Sequence, residues 1–197
     1  MCILDYDIFN KDVETYIESI AQKLFKKHVL IINNNEYIFT ELEFYFYSNY
    51  HQDEYCHLKD LKDLKVQNYK SGDFRFHYSG IDLVLLKQNE FVCGVLIRGV
   101  KRLGKNSEYI NGPLRVLNEF CNNLNNLFDN GDNIFKIKQY DNFLNLEISN
   151  ISRFGLGDKY LSFKSKKYRY LLIDIIKENQ KTYYNSHVKR FIEDVKV

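Results

Sequence analysis

The chain is 197 residues long, with 45% hydrophobic and 27% charged residues, which is room for one domain with a sizeable core and excludes a disordered tail or a membrane span. A net charge of only +2 and a single proline exclude a histone-like polycation and a proline-rich linker, so any grip on nucleic acid has to come from a local basic face. The outlier is the aromatic content, 16 Tyr and 15 Phe with no Trp: rings must do much of the packing, and a tyrosine turned to a ligand would offer an apolar face with a polar tip.

The opening Met1-Cys2-Ile3-Leu4-Asp5 has an acid and no apolar run before a small-residue cleavage site, so no secretory signal is expected and the chain is expected to be cytoplasmic. Residues 11–27 carry Val13, Ile17, Ile20, Ala21, Leu24 and Phe25 at helical spacing, which predicts an amphipathic helix. The period then changes. His28–Ile32, the Asn33-Asn34-Asn35 turn and Tyr37–Tyr47 read as a hairpin, because asparagine tolerates positive φ while β-branched and aromatic residues flank it. Residues 51–72 are polar and irregular, and strands return at Phe74–Tyr78, Ile81–Lys87 and Phe91–Val100.

From Pro113 the pattern is helical again, with Leu114, Leu117, Phe120, Cys121, Leu124 and Leu127 on the expected apolar face and the proline near the helix start. A polar turn at Asp129-Asn130-Gly131-Asp132 precedes expected strands at Ile134–Gln139 and Phe143–Ser149, then at Lys167–Ile173, the last running into a helix. Strands grouped in hairpins, with helices apart from them, predict a single antiparallel α+β domain over 1–197, its core about 11–175 and a helical tail over 176–197. Apolar stretches such as Leu171-Leu172-Ile173 fall far short of the roughly 20 residues that cross a bilayer. The 4 cysteines, Cys2, Cys56, Cys93 and Cys121, form no CxxC pair and read as reduced packing thiols. GxGxxG, Walker, HExxH and GxSxG motifs are absent.

What remains is polar residues that structure alone does not demand. Glu41 and Glu43 alternate with Leu42 on one strand and share a face with Tyr45; a solvated acidic face is the plain alternative. Arg98 ends the apolar run Cys93–Ile97, where a cation needs a carboxylate partner unless it is simply at the surface. His57 and His77 have aromatic or apolar neighbours and read equally as packed core histidines.

In order, these fragments resemble the alkyladenine (3-methyladenine) DNA glycosylase family. Glu41-Leu42-Glu43-Phe44-Tyr45 is similar to its Glu-Thr-Glu-Ala-Tyr motif, Tyr55-Cys56-His57 to an Ala-Ser-His element, and Gly72–Gly80 to a glycine-led aromatic strand. Val95-Leu96-Ile97-Arg98-Gly99 resembles Val-Leu-Ile-Arg-Ala, Gly112-Pro113-Leu114-Arg115-Val116 resembles Gly-Pro-Gly-Lys-Leu, Arg153-Phe154-Gly155-Leu156 resembles Arg-Ile-Gly-Ile, and Tyr168-Arg169-Tyr170 resembles Trp-Arg-Phe. The likeness runs from about residue 21 to 172.

The resemblance implies a curved antiparallel sheet and a monofunctional glycosylase that flips a base out of double-stranded DNA, with no metal or cofactor and as a monomer. It puts Glu43 in the role of general base and Arg98 beside it, orienting the water and keeping the carboxylate ionised. Tyr45, His57 and His77 would sandwich the base, Asp82 is the polar residue nearby, and Tyr78 or Ser79 would wedge into the duplex. Phosphate contacts are expected from Lys101, Arg102, Arg115, Lys164, Lys166, Lys167 and Arg169. Because His77 stands where the family has a pocket Tyr, and the family's Asn is not found at its spacing while Asp82 is added nearby, a base other than alkylated adenine is expected. The rival expectation is a non-catalytic nucleic-acid binding module on the same fold.

Overall fold

The computed structural model describes residues 12–61, 63–125, 134–140 and 146–178. The first helix, α1 (Val13–Lys27), starts at Asp12, whose side chain accepts from the Glu14 and Thr15 amides, and ends with Lys26 and Lys27 near its carbonyl end, an arrangement that satisfies orphan donors and matches the helix dipole. It buries Tyr16, Ile17, Ile20, Ala21, Leu24 and Phe25 against the hairpin of β1 (His28–Ile32) and β2 (Asn35–Ser48). The hairpin turns at Asn33, which takes φ 51°, the left-handed conformation that asparagine tolerates.

Next come a short helix α2 (Leu64–Gln67), then β3 (Phe74–His77), β4 (Gly80–Lys87), β5 (Phe91–Arg102) and β6 (Tyr109–Asn111), helix α3 (Pro113–Asn122), β7 (Phe135–Gln139) and β8 (Ile148–Ile151). A 3-10 turn at Asp158–Tyr160 leads into α4 (Leu161–Lys164), β9 (Arg169–Leu172) and α5 (Ile173–Glu178). The strands form one curved antiparallel sheet in the order β3-β4-β5-β2-β1-β7, with β6 on β5, β9 on β2 and β8 on β9. The α+β class and the antiparallel curved sheet are as expected. Leu127, the 129–132 turn, the Phe143 end of its strand and the tail beyond 178 lie outside the described residues.

β2 is the spine. β5 pairs along nearly all of one edge, while the other edge is shared by β1 at residues 35–37 and β9 at residues 41–43. The register with β5 shifts on both sides of Glu41, which leaves Thr40 and Arg98 without strand partners; such bulges bend a strand and re-aim side chains. Gly99 is required there, because a Cβ would lie 2.6 Å from Thr40 Oγ1.

One sheet face carries the main core under α1 and α3. The other is covered by the irregular 53–69 segment, whose Cys56, Leu58 and Val66 pack on Val84, Leu86 and Val92. β4 is therefore buried on both faces, and the polar loop is fixed by three apolar anchors. α3 differs from the sequence expectation: Val116 and Phe120 are its buried residues, while Leu114 and Leu124 are exposed at 54% and 43%. The helix meets the sheet along an i, i+4 stripe through Val116 and Phe120, so Leu114 falls on another face, and Leu124 lies beyond the helix end at Asn122.

Candidate functional site

Glu41 and Glu43 are wholly buried, which rules out a solvated acidic face. Alternation along β2 sends both carboxylates the same way, toward the bulged Arg98 of β5 and toward Arg169 of β9. Arg98 Nε donates to Glu41 Oε1 at 2.6 Å and Arg98 Nη1 to Glu43 Oε2 at 3.5 Å. Arg169 Nε also donates to Glu41 Oε1, at 2.7 Å, and lies 3.8 Å from Glu43 Oε1. Two carboxylates facing two guanidiniums cancel charge locally, which is what permits such groups in a dry interior. Burial works against the Arg98 charge, but Glu43 and Glu41 outweigh it and hold the guanidinium protonated, above its usual range.

Glu43 takes two further donors. The Tyr45 hydroxyl donates to Oε2 at 2.8 Å, and the backbone N–H of Phe154, 111 residues away, donates to Oε1 at 3.0 Å. Burial and then the Glu43 charge keep the Tyr45 phenol protonated, well above its ordinary range.

Tyr45 and Arg98 also line a cavity of about 340 Å³, within the roughly 300–1,000 Å³ usual for small-molecule sites. His57, His77, Tyr78, Ser79, Asp82, Gly94, Phe154 and Leu156 complete most of its wall. Glu43 is not itself at the surface of the cavity; it stands behind Tyr45 and Arg98. The expected pocket set, Tyr45, His57, His77 and Asp82, thus converges with Arg98, and Tyr78 stands at the β3–β4 turn, 87% exposed. Asp82 Oδ2 accepts from Arg75 Nη1 at 2.9 Å, and Asp82 Oδ1 lies 3.2 Å from His77 Nε2. His57 is at the rim; desolvation and then the Arg75 charge lower its pKa from the ordinary 6.5, so its ring is neutral at pH 7.

Behind Tyr45 lies a knot that residue types alone did not reveal. Arg153 and Asp53 form a fully buried two-pronged ion pair, and Arg153 also donates to the Phe44 and Phe163 carbonyls at 3.0 and 2.9 Å. Its guanidinium lies 4.7 Å from the Tyr45 ring centroid, 5.6 Å from Tyr55 and 5.5 Å from Tyr168, within cation–π range. A single Arg in an irregular segment has no periodicity to announce its burial; the one signal was the Arg153–Leu156 motif itself. The following residues, Phe154-Gly155-Leu156, separate the cavity from a larger neighbouring cleft of about 870 Å³ lined also by Ile151, Leu161 and Lys164.

The expected phosphate contacts divide. Arg169 is 1% exposed and bonded to Glu41, so it belongs to the buried ion cluster and does not reach a phosphate: the strand pairing of β9 with β2 turns it inward. Arg102 is held by Glu119, Lys164 by Asp158 and Lys166 by Glu14. Arg115 and Lys167 are exposed, and Lys101 is partly so. Among the described residues no three His, Cys, Asp or Glu converge as a metal site, and no helix is long and apolar enough to cross a membrane. Cys56 and Cys93 are buried free thiols, the former pushed up to about 12 by burial, and Cys121 is an exposed one.

No family model and no solved structure matches this chain. Its sequence is similar to an uncharacterized protein of Acanthamoeba polyphaga mimivirus, with 27% identity covering 90% of this chain and 94% of that protein.

Proposed function

We propose that the protein is a monofunctional DNA glycosylase that hydrolyses the N-glycosidic bond of a damaged or modified base flipped into the 340 Å³ cavity. The observation that carries this reading is that Arg98 and Tyr45 line the cavity and both hydrogen-bond to the buried Glu43. Because Glu43 stands behind the cavity wall, the attacking water passes its proton to the Tyr45 oxygen while Tyr45 gives its own to Glu43 Oε2; the water oxygen bonds to the sugar carbon, and the glycosidic electron pair leaves with the base. Arg98, held cationic, orients the carboxylate, and the negative charge of Glu43 stabilises the positive charge developing on the sugar. Tyr45, His57 and His77 supply the walls for the base, and Tyr78 is the side chain placed to enter the duplex. Exposed Arg115 and Lys167 grip phosphates.

A second reading, a nucleic-acid binding module that performs no reaction, is favoured by one observation: Glu43 is wholly buried and already receives hydrogen bonds from Tyr45, Arg98 and Phe154. Mass spectrometry of bases released from duplexes carrying alkylated, deaminated and hypermodified bases separates the two. The glycosylase releases at least one of them and Glu43→Gln abolishes the release. Tight binding without release across the panel establishes the binder instead.

A further inference from the structure

The acidic wall of the cavity has no part in the chemistry above. Asp82 projects from β4, 7% exposed, into a wall where Arg75 donates to Oδ2 at 2.9 Å and His77 Nε2 lies 3.2 Å from Oδ1. The tautomer of His77 follows from its other nitrogen: Nδ1 accepts the Ser79 N–H at 3.3 Å and is 2.9 Å from Ser79 Oγ, so Nε2 carries the proton and faces the carboxylate. One hydrogen bond, from Arg75, and a nearby His77 Nε2 that is not aligned to make a second do not saturate Asp82, because a carboxylate has about four acceptor positions. Across the strand pair its Oδ2 faces Gly94, where an added Cβ would lie 3.4 Å from the oxygen. Glycine at that position leaves the approach to Oδ2 clear, and both residues line the cavity.

We propose that Asp82 reads the edge of the cavity's occupant, and that the occupant is a planar heterocycle presenting adjacent N–H donors, the ring N–H and exocyclic amine of a guanine-type edge. This rests on the reading of the cavity as a base pocket. The aromatic wall of Tyr45, His57 and Phe154 suits a flat ring, and an ionised acceptor at its edge selects donors: an analogue lacking the amine forfeits a charge-assisted hydrogen bond, and one with a ring acceptor facing Oδ2 meets lone-pair repulsion.

The test is calorimetric titration of the full chain with 9-methylguanine and 9-methylhypoxanthine, which differ only in the exocyclic amine. The expected result is binding of the guanine compound about tenfold tighter, the worth of one hydrogen bond to a charged group. Asp82→Asn should erase the preference. Gly94→Ala, which sets a methyl against Oδ2 without removing the charge, should diminish it, with circular dichroism confirming that each variant folds. Equal affinity, a preference for hypoxanthine, no binding of either compound, or a preference that survives both substitutions overturns the proposal. Neither probe contains a glycosidic bond to deoxyribose. Base release without the preference therefore sinks the Asp82 assignment alone, and the preference without base release sinks the catalytic reading alone.

Discussion

Two clusters of the same composition, Tyr–Glu–Arg, each draw their tyrosine from β2 and their arginine from β5. In one, Tyr37 donates to Glu119 at 2.6 Å and Arg102 pairs with the same carboxylate; in the other, Tyr45 donates to Glu43 at 2.8 Å and Arg98 donates to it at 3.5 Å. Burial and the carboxylate hold both phenols protonated above their usual range. The surroundings differ. Glu119 sits on α3 and also receives Asn123 Nδ2 at 2.9 Å, while Asn123 Oδ1 accepts from Asn35 at 2.7 Å, so that cluster ties a helix to the β1–β2 hairpin. Glu43 sits on a central strand, backed by a second carboxylate–guanidinium pair and fronted by a cavity. Residue types alone do not distinguish a structural clasp from a candidate catalytic centre; the adjoining cavity does.

The largest expected contrast is between the two glutamates. Glu43→Gln should lower base release by at least about 100-fold, the scale of a lost general base, while Glu119→Gln leaves release unchanged and lowers the melting temperature. Equal activity losses in the two variants would dissolve the distinction. Next comes the knot behind Tyr45: Arg153→Leu leaves the buried Asp53 carboxylate unpaired and should cost about 3–5 kcal/mol in urea unfolding, with much of this recovered when Asp53→Leu is added. Smaller still, Tyr37→Phe and Tyr45→Phe each remove one donor from a carboxylate, for about 1–3 kcal/mol of stability. Only Tyr45→Phe should also slow base release.

The pH dependence sharpens the comparison most gently. Burial raises the pKa of Glu119, but hydrogen bonds from Tyr37 and Arg102 outweigh it and hold the carboxyl below its ordinary 4.5. A depressed carboxylate contributes its full stability above pH 4.5 and loses it as the pH falls through the lower folded-state value. Acid unfolding of Glu119→Gln should therefore show a shallower loss of stability below pH 4.5 than that of the native chain, and identical slopes would remove Glu119 from the acid-sensitive groups.

Much of the fold was legible locally. Helical spacing located α1 to within two residues of its start, and asparagines marked the β1–β2 turn. Alternating aromatic and β-branched residues marked β2, β4 and β5. The α3 face differs from the expected one because the helix ends at Asn122, before Leu124, and because residue type does not say that the sheet meets Val116 rather than Leu114. Short β6 was missed for a different reason: Tyr109–Asn111 has no pattern of its own and is a strand only because β5 extends to pair with it.

The sequence by itself determined the first helix and the longer strands, the shared direction of Glu41, Glu43 and Tyr45, and the need of a buried Arg98 for a carboxylate, because these follow from periodicity and from the cost of an unpaired buried charge. Only the tertiary structure decided that the acidic face is buried, that Arg169 turns inward to Glu41, and that His57 is carried to the cavity by a loop anchored through Cys56 and Leu58. It alone brought the Phe154 amide to Glu43 and clamped Arg153 on Asp53, pairs separated by 111 and 100 residues. No local period encodes such contacts; they exist because closing the curved sheet brings each buried charge to the groups that satisfy it.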